Sequence, residues 1–235
     1  MANYQFHPAH SRGIADFGWL QSAHSFSFGQ WYHPEKMGFG LLRVLNDDKV
    51  APGEGFGMHP HDNMEIISIP LSGALAHHDS MGNSTTIKTG EVQIMSAGTG
   101  IHHAEFNQSN EIPVEFLQIW IFPATRNRQP AYDQRAFNEA DSLNKLQTLV
   151  SPDGEGIFIN QQAWISRVKT DQDLTISYNN HQHGQGLYVF VLEGEAKIGQ
   201  FSLQKRDALG ISEQAKTDIQ LQKGVDLLLF EVPMA

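Results

Sequence analysis

The chain has 235 residues, 40% hydrophobic and 18% charged, enough for one large or two small domains that each bury a core. It contains no cysteine, which excludes disulfides, thiolate metal sites and cysteine nucleophiles. Its formal net charge of −10, without any run of lysine or arginine, disfavours direct contact with DNA or RNA.

The first residues, Met1-Ala2-Asn3-Tyr4-Gln5-Phe6, show no basic region leading into an apolar run, so no secretory signal is predicted. No stretch approaches the ~18 continuous apolar residues of a membrane-spanning helix. A cytoplasmic location is expected, in keeping with the missing cysteines. Short apolar runs then alternate with turns. Glu65-Ile66-Ile67-Ser68-Ile69 reads as a strand that closes at Leu71-Ser72-Gly73. Turn signals at Ser80-Met81-Gly82-Asn83 and Lys88-Thr89-Gly90 precede a second run, Glu91-Val92-Gln93-Ile94-Met95. Glu115 through Phe122 alternates poorly, as a strand buried on both faces does. Phe137 through Lys145 is polar and turn-rich and reads as a linker. Beyond it, Leu187 through Gly194 repeats the pattern of Glu65 through Gly73, and Leu227 through Val232 repeats that of Phe116 through Phe122. Many short strands with tight turns predict an all-β sandwich or barrel. The repeated texture divides it into two units, residues 1–137 and 138–235.

The chemistry concentrates between Gly53 and Asn107. Met58-His59-Pro60-His61 places two histidines at i and i+2, which in an extended strand point to one face. His103-Ala104-Glu105 repeats that spacing. If the intervening strands bring the two segments side by side, three imidazoles and one carboxylate converge in one barrel mouth. Such a set suits a divalent first-row metal and leaves coordination positions open.

Gly53 through Glu65, containing His59-Pro60-His61 and followed by Gly73, resembles the first cupin motif. Gly90 through Asn107 resembles the second, with Ser96 where proline is usual and a longer gap from Gly98 to His103. Several blocks are similar to the pirin family within the cupins: Phe26-Ser27-Phe28, Met37-Gly38-Phe39-Gly40, Arg43 through Asp48, Asp79 through Asn83 and Met95 through Ile101. The resemblance is dense over about residues 15–135 and thinner afterwards. It implies an all-β bicupin of two antiparallel barrels, with iron or another transition metal in the N-terminal one. The implied ligands are His59, His61, His103 and Glu105. The same donors accept manganese, nickel, cobalt, copper or zinc. Glu65 holds the ligand position of many other cupins but is not a ligand in pirin-like proteins.

Other histidines receive plainer readings. His102 neighbours a ligand and is expected on the opposite face, while His77 and His78 read as strand-end residues. His7, His10, His24 and His33 show no ligand spacing. Phe26, Phe28, Phe39 and Phe56 are expected in the core rather than a pocket; one lining the site would stack on a flat aromatic substrate. Gly53, Gly73, Gly90, Gly98 and Gly100 read as turn and bulge glycines. His181-Gln182-His183 sits near the equivalent place in the second unit, but no His-x-Glu follows, so the second barrel is expected to be metal-free.

Bacterial pirin-like proteins resemble quercetin 2,3-dioxygenases, which open a flavonol ring with O₂ and release carbon monoxide. The implied partners are therefore O₂ and a flavonol-like aromatic. Glu105 is the expected acceptor of the substrate proton, although ligation would hold its pKa low and weaken it as a base. Eukaryotic pirins imply an alternative, a redox-sensing protein that binds a regulatory partner without turnover. A cupin isomerase of sugars or keto acids is a third reading, because this fold hosts many chemistries. A monomer is the default expectation.

Overall fold

The computed structural model describes residues 2–234 and shows the expected all-β bicupin architecture. Two three-residue turns of 3₁₀ helix, Ala9–Ser11 and Glu139–Asp141, are the only helical elements among the described residues. None of these is long or apolar enough to cross a membrane.

The first half pairs a large sheet with a small one rather than closing a single sheet into a barrel. The large sheet runs in the order Ala131–Ala136, Glu91–Ser96, Glu65–Ser72, Val114–Ile121, Leu42–Val50, Leu20–His24 and Gly13–Asp16. The small sheet runs Gly55–His61, Ile101–Asn107, Ala74–Asp79 and Ser84–Lys88. The second half repeats this plan. Its central strands are Gln185–Glu193, Asp226–Pro233 and Trp164–Lys169, and its small sheet begins Leu174–Asn179, Lys216–Leu221.

The poorly alternating strand Val114–Ile121 is buried on both faces because each face meets a different core. Leu117, Ile119 and Ile121 join Ile67, Ile69 and Leu45 in a cluster that continues into Tyr188, Phe190, Leu228 and Phe230 of the second half. The two large sheets thus pack face to face, as stacked sheets do when each presents one apolar face. Each such side chain contributes about 1.5–3 kcal/mol on burial, so the halves are bound as one core is bound.

On the opposite face of the same strands the two halves diverge. In Val114–Ile121, Phe116 belongs to one small cluster and Trp120 packs on another, with Gln118 between them. Asn46, Asp48, Ser68 and Gln93 occupy buried inward positions on the neighbouring strands. The interior of the first half is therefore polar in its middle. The corresponding interior of the second half is mostly hydrocarbon, built from Leu187, Val189, Val191, Leu227 and Leu229, with the Glu231 carboxylate buried at one end against the Tyr178 hydroxyl. The first can hold a ligand site; the second is filled.

The chain does not divide cleanly at residue 137. The strand Asn3–His7 pairs antiparallel with Ala208–Ser212 and forms the edge of the second half's large sheet. In return, the Leu41 N–H donates to the Pro233 carbonyl at 3.0 Å. Asp47 of the first half binds Arg12 at 3.1 Å and Arg206 of the second at 2.7 Å. Phe39 wedges between Gly186 and Gly210, where an added Cβ would lie 2.8 Å and 2.6 Å from its ring.

Candidate metal centre

Two adjacent antiparallel strands build the site. His59 and His61 end the strand Gly55–His61, and His103 lies on Ile101–Asn107 directly opposite His59. The i, i+2 spacing turns both histidines of the first strand inward, and this register brings the third against them. Ring centroids are 4.4 Å apart for His59 and His103, and 4.9 Å for His61 with either partner. One ring nitrogen from each of the three lies within 4.8 Å of the others.

The register shifts by one residue between His103 and Glu105, because Gly57 and Met58 together face Ala104. This bulge turns Phe56 toward the interior, where it packs edge-on against Trp19 at 5.2 Å. Gly55 is required by the same close approach: an added Cβ would lie 2.2 Å from the Glu105 carbonyl oxygen.

Two of the three imidazoles, His61 and His103, are held neutral. Burial, with His59 beside it, pushes His61 down to about 4. Burial and the three neighbouring histidines push His103 down to about 2. His59 donates from Nδ1 to the Gly57 carbonyl at 2.7 Å, which leaves Nε2 as its lone-pair atom. His103 Nδ1 lies 3.2 Å from His77 Nε2, and His103 Nε2 is buried without a hydrogen-bond partner. Imidazoles with free lone pairs, one of them orphaned in the interior, are what a divalent cation requires, so the residues fit one.

Glu105 lines the same cavity but is not among the close group. Its carboxylate accepts from Ser68 Oγ at 3.0 Å and from Gln118 Nε2 at 2.7 Å. Burial pushes it up to about 7 against both hydrogen bonds, opposite to the direction ligation would impose. Each of its oxygens uses one lone pair in these bonds and keeps another. Asp48 is a second buried carboxylate on the cavity wall, accepting from Ser22 Oγ and pushed up to about 7 by burial.

The cavity measures about 810 Å³, well within the range of small-molecule sites. Trp19, Phe28, Phe56 and Trp120 supply aromatic wall, and no lysine or arginine among the described residues lines it. Phe28 and Phe56 therefore belong to the pocket, contrary to the core expectation, whereas Phe26 and Phe39 are buried against Tyr188 between the halves. His24 also lines the cavity, edge-on to Phe28 at 5.2 Å.

His102 is exposed on the outer face. His77 is fully buried and meets His103, so its reading as a strand-end residue is corrected. The alternation of buried Leu75, His77 and Asp79 along one strand was the available signal for it. Nothing in the sequence separates Asp48 from an exposed strand carboxylate. Glu65 faces away from the site, accepting from Ser96 Oγ at 2.7 Å and from the Asn160 N–H at 3.2 Å. In the second half, His181 lies stacked on Trp164 at 4.3 Å, with its Nδ1 2.6 Å from Glu231. His183 joins no ligand group among the described residues.

Comparison with known proteins agrees with this fold. Residues 6–121 match the family model described as Pirin, and residues 148–232 match that of the quercetinase C-terminal cupin domain. The chain is 38% identical over 232 residues to "Quercetin 2,3-dioxygenase" of Escherichia coli K12, covering 96% of each. It is 35% identical to "Pirin-like protein" of Caulobacter vibrioides, covering 95% of this chain and 97% of that one. Among solved structures, the bacterial pirin YhhW of Escherichia coli in complex with nickel(II) matches with a TM-score of 0.93 at 35% identity. That match covers 99% of this chain and 100% of the other.

Proposed function

Because this chain belongs to the pirin family, we propose that it is a metal-dependent dioxygenase that opens a flavonol-like ring with O₂. The observation carrying this reading is the meeting of three histidines with an aromatic cavity lined, among the described residues, by no lysine or arginine. His59, His61 and His103 hold the metal, and Glu105 joins them as the fourth side chain through its remaining lone pairs. Iron is the ion the family resemblance implies. The nickel(II) complex of the Escherichia coli relative supports a divalent transition metal more generally, and manganese, cobalt, copper and zinc suit the same donors. Bound there, such a metal supplies Lewis acidity toward a deprotonated hydroxyl oxygen.

The protein's own residues select, orient and deprotonate the substrate. Trp19, Phe28, Phe56 and Trp120 offer faces and edges to a flat polycyclic ring and exclude water from it. Glu105 accepts the proton of the reacting hydroxyl, while Ser68 and Gln118 hold its carboxylate in place. Asp48, fixed by Ser22, accepts a hydrogen bond from another substrate hydroxyl. A keto acid or sugar phosphate would meet Asp48 and Glu105 with no lysine or arginine to balance its charge, which favours a neutral polyphenol over the substrates of cupin isomerases.

The test combines metal analysis with O₂ uptake, with and without quercetin, for the native protein and a His59→Ala/His103→Ala variant. Near-stoichiometric metal and quercetin-dependent uptake, both lost in the variant, are expected. Full metal occupancy without uptake for any flavonol would remove the dioxygenase reading and leave a metal-binding, partner-directed role.

A further inference from the structure

We propose that His77 is the positioning residue for His103, fixing that ligand's tautomer through an imidazole–imidazole hydrogen bond. The inference rests on the reading of His59, His61 and His103 as the metal site. His103 Nε2 is buried without a partner, so it is the atom that presents a lone pair to the site. A neutral imidazole with its lone pair on Nε2 carries its proton on Nδ1. That Nδ1 lies 3.2 Å from His77 Nε2, which must then be the acceptor. His77 in turn carries its proton on its own Nδ1, an atom also buried without a partner.

His77 is itself clamped. It is completely buried on the strand Ala74–Asp79, which pairs with the strand bearing His103. Its ring packs at 5.1 Å on Tyr132, whose hydroxyl is anchored 2.6 Å from Thr85 Oγ1 and donates to Gln134 at 2.8 Å. A buried donor left unpaired costs stability, so a leucine would suit this position better on packing grounds alone. The imidazole is explained by what its other nitrogen does. Metal-bound histidines are commonly oriented by a carboxylate or a backbone carbonyl, and His59 uses the latter, the Gly57 carbonyl. His103 uses a neutral ring, which orients it without adding negative charge to an interior that already holds Glu105 and Asp48.

Two measurements test this, neither requiring turnover. In ¹⁵N-imidazole NMR of the metal-free protein, His103 is expected as the Nδ1–H tautomer, the minor form of free histidine. In nickel(II) titrations, His77→Leu is expected to weaken affinity about 10–100-fold, as loss of an orienting partner does. His77→Gln, whose amide oxygen restores an acceptor, is expected to recover most of that loss. Thermal melting of each metal-free variant checks that the fold is kept, and if His77→Leu fails to fold, the Gln variant and the tautomer decide. An Nε2–H tautomer at His103, or unchanged affinity in His77→Leu, overturns the proposal. Equal nickel binding by the native protein and His103→Ala would instead overturn the metal-site reading beneath it.

Discussion

His7 is 9% exposed and lies with its Nδ1 2.9 Å from the Tyr188 hydroxyl. Burial, with Lys36 nearby, pushes its pKa from 6.5 down to about 4. The unfolded chain therefore binds the extra proton first as the pH falls. The stabilisation is whole above pH 6.5, declines below it, and is lost as the pH passes through about 4. A shift of this size is on the order of 3 kcal/mol. Urea unfolding of the metal-free protein should show the native chain losing about that much relative to His7→Gln between those limits. Parallel pH dependences in the two proteins would remove the assignment. The raised pKa values of Asp48 and Glu105 act in the opposite sense, adding stability as they take up protons below about 7, so the comparison must be made against the variant.

At the scale of the element, the turn around Gly98 connects the two halves of the binding motif. The Asn63 N–H donates to the Gly98 carbonyl at 2.9 Å, and the Thr99 N–H donates to the Arg128 carbonyl at 2.9 Å. The strand carrying His103 starts just after this junction, at Ile101. Gly98 has a φ of +50°, and an added Cβ would lie 2.1 Å from the Arg128 carbonyl oxygen. Gly98→Ala combines left-handed strain with a backbone clash and is expected to cost about 2–4 kcal/mol and to weaken nickel binding. Gly82 also has a positive φ, +96°, but nothing lies within 4 Å of its added Cβ. Gly82→Ala should cost only about 1 kcal/mol, from the φ alone. Equal melting shifts for the two variants would show that the contact with Arg128 does not matter.

Over the whole molecule, the shared core makes the two halves one cooperative unit. Phe39 is a link between them, seated against Gly186 and Gly210 and packed on Tyr188 at 5.4 Å. Phe39→Ala opens a cavity there and is expected to cost about 3–5 kcal/mol. Calorimetry should record a single transition in both native and variant proteins, lowered in the variant. Two separated transitions in either would mean that the halves unfold independently despite the cluster they share.

Much of this was legible along the chain because it depends on near neighbours. Strand alternation, glycine turns and the i, i+2 pairs are properties of a few consecutive residues. They were enough for an all-β fold in two similar halves and for three histidines directed to one point. Glu105, His77 and Asp48 were decided at longer range. Whether Glu105 meets Ser68 and Gln118, or His77 meets His103, depends on strand register between segments far apart in sequence. The bulge at Gly57 and Met58, which admits Phe56 to the cavity, is likewise a property of the pair of strands rather than of either one. So is the strand Asn3–His7, whose edge pairing assigns it to the second half. Local patterning determined what each strand presents. Only the packing of distant strands decided which groups share an interior, and therefore which half is filled mostly with hydrocarbon and which is left polar and open.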